Sequence, residues 1–188
     1  MARKFSIKSA VVDLIELFLI GTTVFLLVYI LVGQFLEVSG SSMHPYLVDK
    51  EQIIAEKLSI KFDPIKRGEV IIFWHPKTKS DLLIKRVIGL PGEIIKIQNG
   101  FVFVNGSKLE EPYLSNNVVT KAGDFLPEGQ EHKIGTDYYI VMGDNRAEST
   151  DSRYWGPIQK ETIIGRALAV FYPLDNIRLL NGGKNATK

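Results

Sequence analysis

The chain has no cysteine among its 188 residues. That excludes a disulfide framework, a cysteine nucleophile, and zinc or iron–sulfur sites built on thiolates. A dominant charge is missing too: 23 Lys and Arg face 21 Asp and Glu, a formal net charge of +2. A nucleic-acid partner usually needs a concentrated basic face, so no electrostatic case for one exists. Histidine is scarce, with only His44, His75 and His132 present. Beyond Leu36 no long stretch has helical periodicity, there is no internal repeat, and strand and helix patterns do not alternate as a parallel sheet requires. With 16 Gly and 8 Pro, the chain is neither collagen-like nor low-complexity.

What is present is unevenly distributed. A mean hydropathy of +0.06 hides 20 consecutive uncharged residues, Leu17 to Leu36, between Glu16 and Glu37. As a helix this run is about 30 Å long, the thickness of a bilayer's hydrocarbon core. A cleaved signal peptide would have a shorter apolar stretch of ~7–15 residues and a small-x-small site after it, and neither feature is found. The expectation is one transmembrane helix over 17–36. Arg3, Lys4 and Lys8 precede it, which assigns the 1–16 segment to the cytoplasm and the remainder to the far side of the membrane. An extracytoplasmic β-rich domain over 37–180 and a flexible tail over 181–188 complete the expected organisation.

Short runs rich in Ile, Val, Phe and Tyr predict strands at Gln52–Lys57, Glu69–Trp74, Leu82–Ile88, Glu93–Ile97, Phe101–Val104, Tyr138–Met142 and Ala167–Tyr172. Asn99-Gly100 predicts a tight type I′ hairpin, because both turn positions need positive φ. Asn105-Gly106 predicts another turn. Residues 107–136 are polar and irregular and read as an extended hairpin or a flexible excursion. The fold class is therefore mainly β, an antiparallel sheet domain behind one transmembrane α-helix.

Three segments carry candidate chemistry. Ser39 to Pro45 is a small, Gly-containing turn that can expose a hydroxyl beside backbone N–H groups, as a nucleophile and its oxyanion hole require. Alone it reads equally as a flexible linker. In the second segment, Leu82 to Gly92, Lys85 sits inside an apolar run whose alternation would bury every second side chain. A buried lysine loses stabilisation of its charged form, so its pKa falls and its neutral amine can accept a proton. A solvent-facing lysine on the polar side of the strand is the bland alternative. The third segment, Gly143 to Gly156, is dense in local hydrogen-bonding residues and opposite charges, which fit either a self-locking loop or a surface turn.

Together these segments resemble the bacterial type I signal peptidases. The family's Ser-Met-x-Pro motif matches Ser42-Met43-His44-Pro45, its Lys-Arg-x-x-Gly-Leu-Pro-Gly motif matches Lys85 to Gly92, and its Gly-Asp-Asn-Arg…Ser-x-Asp-Ser-Arg…Gly motif matches Gly143 to Gly156. Arg67 to Phe73 matches a further strand motif. The resemblance implies a serine endopeptidase with a Ser–Lys dyad: Ser42 as nucleophile, Lys85 as general base, and Ser149 hydrogen-bonded to the Lys85 amine. It implies that Asp151 and Arg153 brace the loop, that Asp144 and Arg146 belong to the same network, and that the Ser42 backbone N–H is one oxyanion donor. No cofactor and no metal are implied. Some members carry a serine hydroxyl two residues before the nucleophile. Here that position is Gly40, leaving Ser41 or ordered water as alternatives. Tyr46 stands where Thr is common, Ala147 and Glu148 where Asp-Asn is frequent, and Glu69 and Glu93 where Asp is frequent.

The implied substrates are secretory preproteins with small residues at −1 and −3. Met43, Leu47 and Ile84 would line the −1 pocket, and Leu36, Val38 and Ile72 the −3 pocket. Substrate backbone would add to strand edges near Val38 and Leu83. The implied location is the plasma membrane, with the lipid bilayer as a partner and the secretion translocon nearby. Competing readings are weaker. A Ser–His–Asp triad has no histidine set in a motif, a self-cleaving repressor-type protease has no place for the span, and a binding module without catalysis would not need Ser42, Lys85 and Ser149 together.

Overall fold

A computed structural model describes residues 7–115 and 118–180, with side chains of the first helix described over 10–26. That helix, α1, runs Ile7–Val32, and its residues 11–26 are exposed. Helical structure thus begins ten residues before Leu17 and stops short of Leu36. The expected boundary at Leu36 is corrected because Gly33–Glu37 forms strand β1, paired residue for residue with β2, Gln52–Glu56. Leu36 packs against a core as part of that strand. Among the described residues no helix is long and apolar enough to cross a membrane. The expected tail, 181–188, and residues 1–6 lie outside the described residues.

Ten further strands follow: β3 (Val70–Trp74), β4 (Leu82–Gly89), β5 (Ile94–Gln98), β6 (Phe101–Val104), β7 (Ser107–Lys108), β8 (His132–Lys133), β9 (Tyr138–Met142), β10 (Ile158–Gln159), β11 (Ile163–Tyr172) and β12 (Arg178–Leu179). Two one-turn helices, α2 (Ser59–Phe62) and α3 (Ser152–Trp155), interrupt them. All seven predicted strands are present, although β11 begins four residues earlier than expected. Asn99 (φ 52°) and Gly100 (φ 80°) make the β5–β6 hairpin turn, and Asn105 (φ 50°) and Gly106 (φ 80°) make the β6–β7 turn. Both are the left-handed pairs that a type I′ turn demands.

The large sheet is antiparallel with order β1-β2-β11-β3-β4-β9-β10, and β12 pairs with β11. A second sheet has order β7-β6-β5-β8. Period-two alternation distributes β3 between two cores: Val70 and Ile72 face one, Ile71 and Phe73 the other. A third core joins Ile88, Ile140 and Met142 of the large sheet to Ile95, Ile97, Val102 and Val104 of the small one. The 107–136 region is no loose excursion, since it delivers Tyr113, Leu126 and Ile134 into this third core. Its polar composition, with Pro112, Gly123, Pro127, Gly129 and Gly135, is what makes it read as irregular. Strand β4 also departs from simple alternation: Lys85, Arg86, Val87, Ile88 and Gly89 are all buried, because both faces of its second half are covered.

Candidate active site

The nucleophile candidate lies in the turn between β1 and β2. Val38 and Lys50 clamp its ends through Val38 N–H to Glu51 O (2.8 Å) and Lys50 N–H to Val38 O (2.8 Å). Gly40 has φ +90° and donates its N–H to Asp49 Oδ1 at 2.7 Å. An L side chain is strained at that φ, so a hydroxyl-bearing residue at position 40 would oppose the turn itself. One helical turn follows, closed by Leu47 N–H to Met43 O (2.9 Å), and it drives Met43 and Leu47 into the first core. Ser42 stays half-exposed above them, and its backbone N–H makes no hydrogen bond among the described residues.

Lys85 reaches this turn from β4. Its Nζ lies 2.6 Å from Ser42 Oγ, and the residue is only 4% exposed. Burial is the dominant influence on the amine and lowers its pKa to about 8 from 10.5. The Asp151 and Asp144 carboxylates oppose that shift and the Arg153 guanidinium assists it. Such a perturbed lysine beside a hydroxyl in a cleft is what a nucleophile–base pair requires.

The 143–153 loop fixes the turn from behind. Asn145 donates its backbone N–H to Ser42 O (3.1 Å) and its side-chain amide to Ser41 O (3.2 Å). Asp151, fully buried, caps α3 and accepts from Gly143 N–H (3.0 Å) and from Arg153 Nε and Nη2 (2.8 Å each). Arg153 in turn donates to Ser149 O (3.0 Å) and Arg146 O (2.9 Å). Arg146 holds Gly143 O (3.1 Å), Thr120 Oγ1 (2.5 Å) and Glu111. Asp144 forms a bidentate pair with Arg86 (2.8 and 2.5 Å), both side chains fully buried. The Arg86 guanidinium also donates to Gly68 O and lies between the Tyr46 and Tyr113 rings, 4.4 and 4.1 Å from their centroids. Burial together with Glu111 raises the Tyr113 pKa, so that ring stays neutral.

Several expectations need correction. Ser149 is buried, but its hydroxyl makes no hydrogen bond, to Lys85 or to any other described group. It packs toward Gly143, where an added Cβ would lie 2.3 Å from Ser149 Oγ and 2.4 Å from Ser42 O. Leu47 does not border the cleft. It is fully buried in the first core, because the turn after Met43 points it inward. Ser41 is not free to replace an oxyanion donor in this arrangement, since its hydroxyl donates to Glu148 Oε2 at 3.3 Å. Glu148 also accepts from Asn145 Nδ2 at 3.1 Å, so the Ala147-Glu148 departure keeps an acidic partner in the loop. The parts that Arg86, Tyr46, Asn145 and Glu148 play in this network escaped sequence reasoning. For Arg86 a signal existed: a second charge in an apolar strand needs a buried counter-ion.

A cleft of about 90 Å³ opens beside the dyad, bordered by Leu36, Glu37, Val38, Ser39, Ser42, Met43, Ile72, Leu82, Leu83, Ile84 and Lys85. Six of the seven expected substrate-binding residues border it, Leu47 being the exception. Glu37, Ser39 and Leu82 were not foreseen. The three histidines stay outside it: His44 is exposed, and His75 and His132 are half-buried elsewhere. No cluster of three or more His, Asp or Glu able to hold a metal occurs among the described residues.

A serine hydroxyl against a buried amine, at the side of a cleft, is an arrangement that a serine endopeptidase can use. Comparison with known proteins is specific: the family model described as signal peptidase, peptidase S26 matches residues 11–172. The chain is 42% identical over 149 residues to "Signal peptidase I P" of Bacillus subtilis subsp. natto, covering 75% of this chain and 77% of that one. It is 38% identical over 148 residues to "Signal peptidase I" of Leptolyngbya laminosa, covering 74% and 69%. "Signal peptidase IB" of Staphylococcus aureus is 33% identical over 181 residues, covering 88% and 93%. The chain belongs to the signal peptidase, peptidase S26 family, whose serine endopeptidases remove signal peptides from preproteins.

Proposed function

We propose that Ser42 and Lys85 perform this cleavage as nucleophile and general base, with the 2.6 Å contact between a buried amine and an accessible hydroxyl as the observation that carries the reading. Neutral Lys85 takes the Ser42 Oγ proton as Oγ bonds to the carbonyl carbon of the −1 residue. The tetrahedral oxyanion accepts from the Ser42 N–H. As the intermediate collapses, the Lys85 ammonium gives its proton to the departing amine of the mature chain. Water, deprotonated by Lys85, then hydrolyses the acyl-enzyme and frees the signal peptide.

Two open edges support binding of the substrate as a strand. β1 is the outer strand of its sheet, and β4 pairs with β9 only from Arg86 onward, which leaves Leu82–Lys85 without a strand on that side. A peptide laid between them alternates its side chains, so −1 and −3 enter the cleft together. Met43, Ile72 and Ile84 fill its floor with bulk and favour small residues there by excluding large ones. Asp151, Arg153, Asp144 and Arg146 brace the loop whose Asn145 holds the nucleophile turn, Ser149 packs against Gly143 within it, and all five act as positioning residues.

α1 anchors the enzyme in the plasma membrane with its N-terminal segment on the cytoplasmic side, a reading supported by its exposed apolar residues from Val11 to Leu26 and by the uncharged run from Leu17. Lipid contact accounts for this face, which water would penalise. The catalytic domain then meets preproteins at the far membrane surface, near where the translocon delivers them.

The test is processing of a preprotein by the full chain in detergent. Ser42→Ala and Lys85→Ala are each expected to slow cleavage by at least ~10³-fold, and Lys85→Arg to fail as well because guanidinium keeps its proton. Wild-type processing by both alanine variants would sink the assignment.

A further inference from the structure

We propose that Glu37 selects the −2 residue of the substrate, favouring Lys or Arg over Asp or Glu. The proposal rests on the cleft assignment above and deepens it. Along β1 the side chains alternate: Leu36 and Val38 turn into the first core, while Phe35 and Glu37 are exposed on the opposite face. Glu37 nevertheless borders the cleft, and besides it Lys85 is the other charged residue there. Lys85 is buried against Ser42, which leaves Glu37 as the exposed charge that an incoming peptide meets. Its carboxylate makes no hydrogen bond or ion pair among the described residues.

Strand periodicity supplies the −2 position. A peptide beside β1 that sends −1 and −3 into the cleft must turn −2 toward the face carrying Phe35 and Glu37. Side chains directly across two adjacent strands come within about 5 Å, where opposite charges attract and like charges repel. Because Glu37 is exposed, the effect is moderate and sensitive to salt.

Three preprotein substrates identical except for Lys, Gln or Glu at −2 would test this with the full-length enzyme in detergent, reading kcat/KM. The Lys substrate is expected to exceed the Glu substrate by about fivefold at low salt, the size of an exposed attraction and repulsion combined, with the ratio falling toward one in 1 M salt. Glu37→Gln should collapse the ratio and Glu37→Lys should invert it. A wild-type ratio of one, or a ratio unmoved by Glu37→Gln, would overturn the preference while leaving the cleavage assignment intact. Failure of the wild type to cut any of the three would overturn the cleft assignment and the preference together.

Discussion

Replacing Lys85 with Met should make the protein more stable while abolishing its activity. Met preserves length and volume but removes the amine whose burial lowers the Lys85 pKa from 10.5 to about 8. At about 1.36 kcal/mol per unit, that difference is about 3 kcal/mol of unfavourable interaction with the charged form. The sign follows from proton binding. Between pH 8 and 10.5 the unfolded chain holds more protons at this site than the folded one, so wild-type stability rises through that window. Below pH 8 both states are protonated there, and the full cost is present. Loss of the hydrogen bond to Ser42 gives back about 1 kcal/mol. The variant is thus expected to exceed the wild type by about 2–3 kcal/mol at pH 6, and to lose that advantage by about pH 10.5. Equilibrium urea unfolding of the full chain in detergent reads the difference, using Trp155, whose ring lies 6.1 Å from Phe73 in the core that also holds Ile71. A variant no more stable than wild type at pH 6, or an advantage that does not shrink with rising pH, would refute a strained buried amine.

Three other outcomes follow from the same geometry. The cleavage rate should climb about tenfold per pH unit below 8 and level off above about pH 9, as Lys85 loses its proton; a pH-independent rate, or a limb near 10.5, in single-turnover cleavage would contradict this. Gly143→Ala places a Cβ 2.4 Å from Ser42 O and must shift the nucleophile turn, and a displacement near 1 Å is expected to lower kcat by about 10²-fold; wild-type kcat would show that the turn is not held there. Asp144→Ala strands the Arg86 guanidinium in a site where both partners are fully buried, with an expected loss of about 3–5 kcal/mol in urea unfolding; a loss under about 1 kcal/mol would mean that Gly68 O and the two tyrosine rings suffice.

Local patterns and distant contacts differ in how far the sequence betrays them. Asn99-Gly100 and Asn105-Gly106 were legible because the required φ is a property of those residues alone. Ser42 and Lys85 were legible as a pair through their motifs, although their contact spans 43 positions and no alternation pattern predicts it. The end of α1 was misjudged because Gly33–Leu36 is apolar enough for a helix, and only pairing with β2 commits it to a strand. Ser149 shows the limit at atomic scale: its burial in the catalytic loop was foreseeable, but its hydroxyl direction depends on how closely Gly143 passes. Glu148 is the converse. It lies where the sequence departs from the family's frequent Asp-Asn, yet it finds Ser41 across 107 positions.

The charges of the 143–153 loop also explain why burial governs Lys85. An irregular loop leaves carbonyls that no strand satisfies. Arg146 supplies Gly143 O, and Arg153 supplies Arg146 O, Ser149 O and Lys121 O. Buried guanidiniums need counter-ions, and each has one: Glu111 for Arg146, Asp151 for Arg153, and Asp144 for Arg86 in the neighbouring strand. Breaking one such pair is costly even though forming it from water gains little. Paired charges also oppose each other at a third site. Asp151 and Asp144 raise the Lys85 pKa, Arg153 lowers it, and desolvation exceeds them all. A loop braced by lone acids would have held Lys85 protonated, and a loop of lone arginines could not have been buried at all. Pairing permits a rigid, dry support behind Ser42 that still leaves the amine free to lose its proton near pH 8.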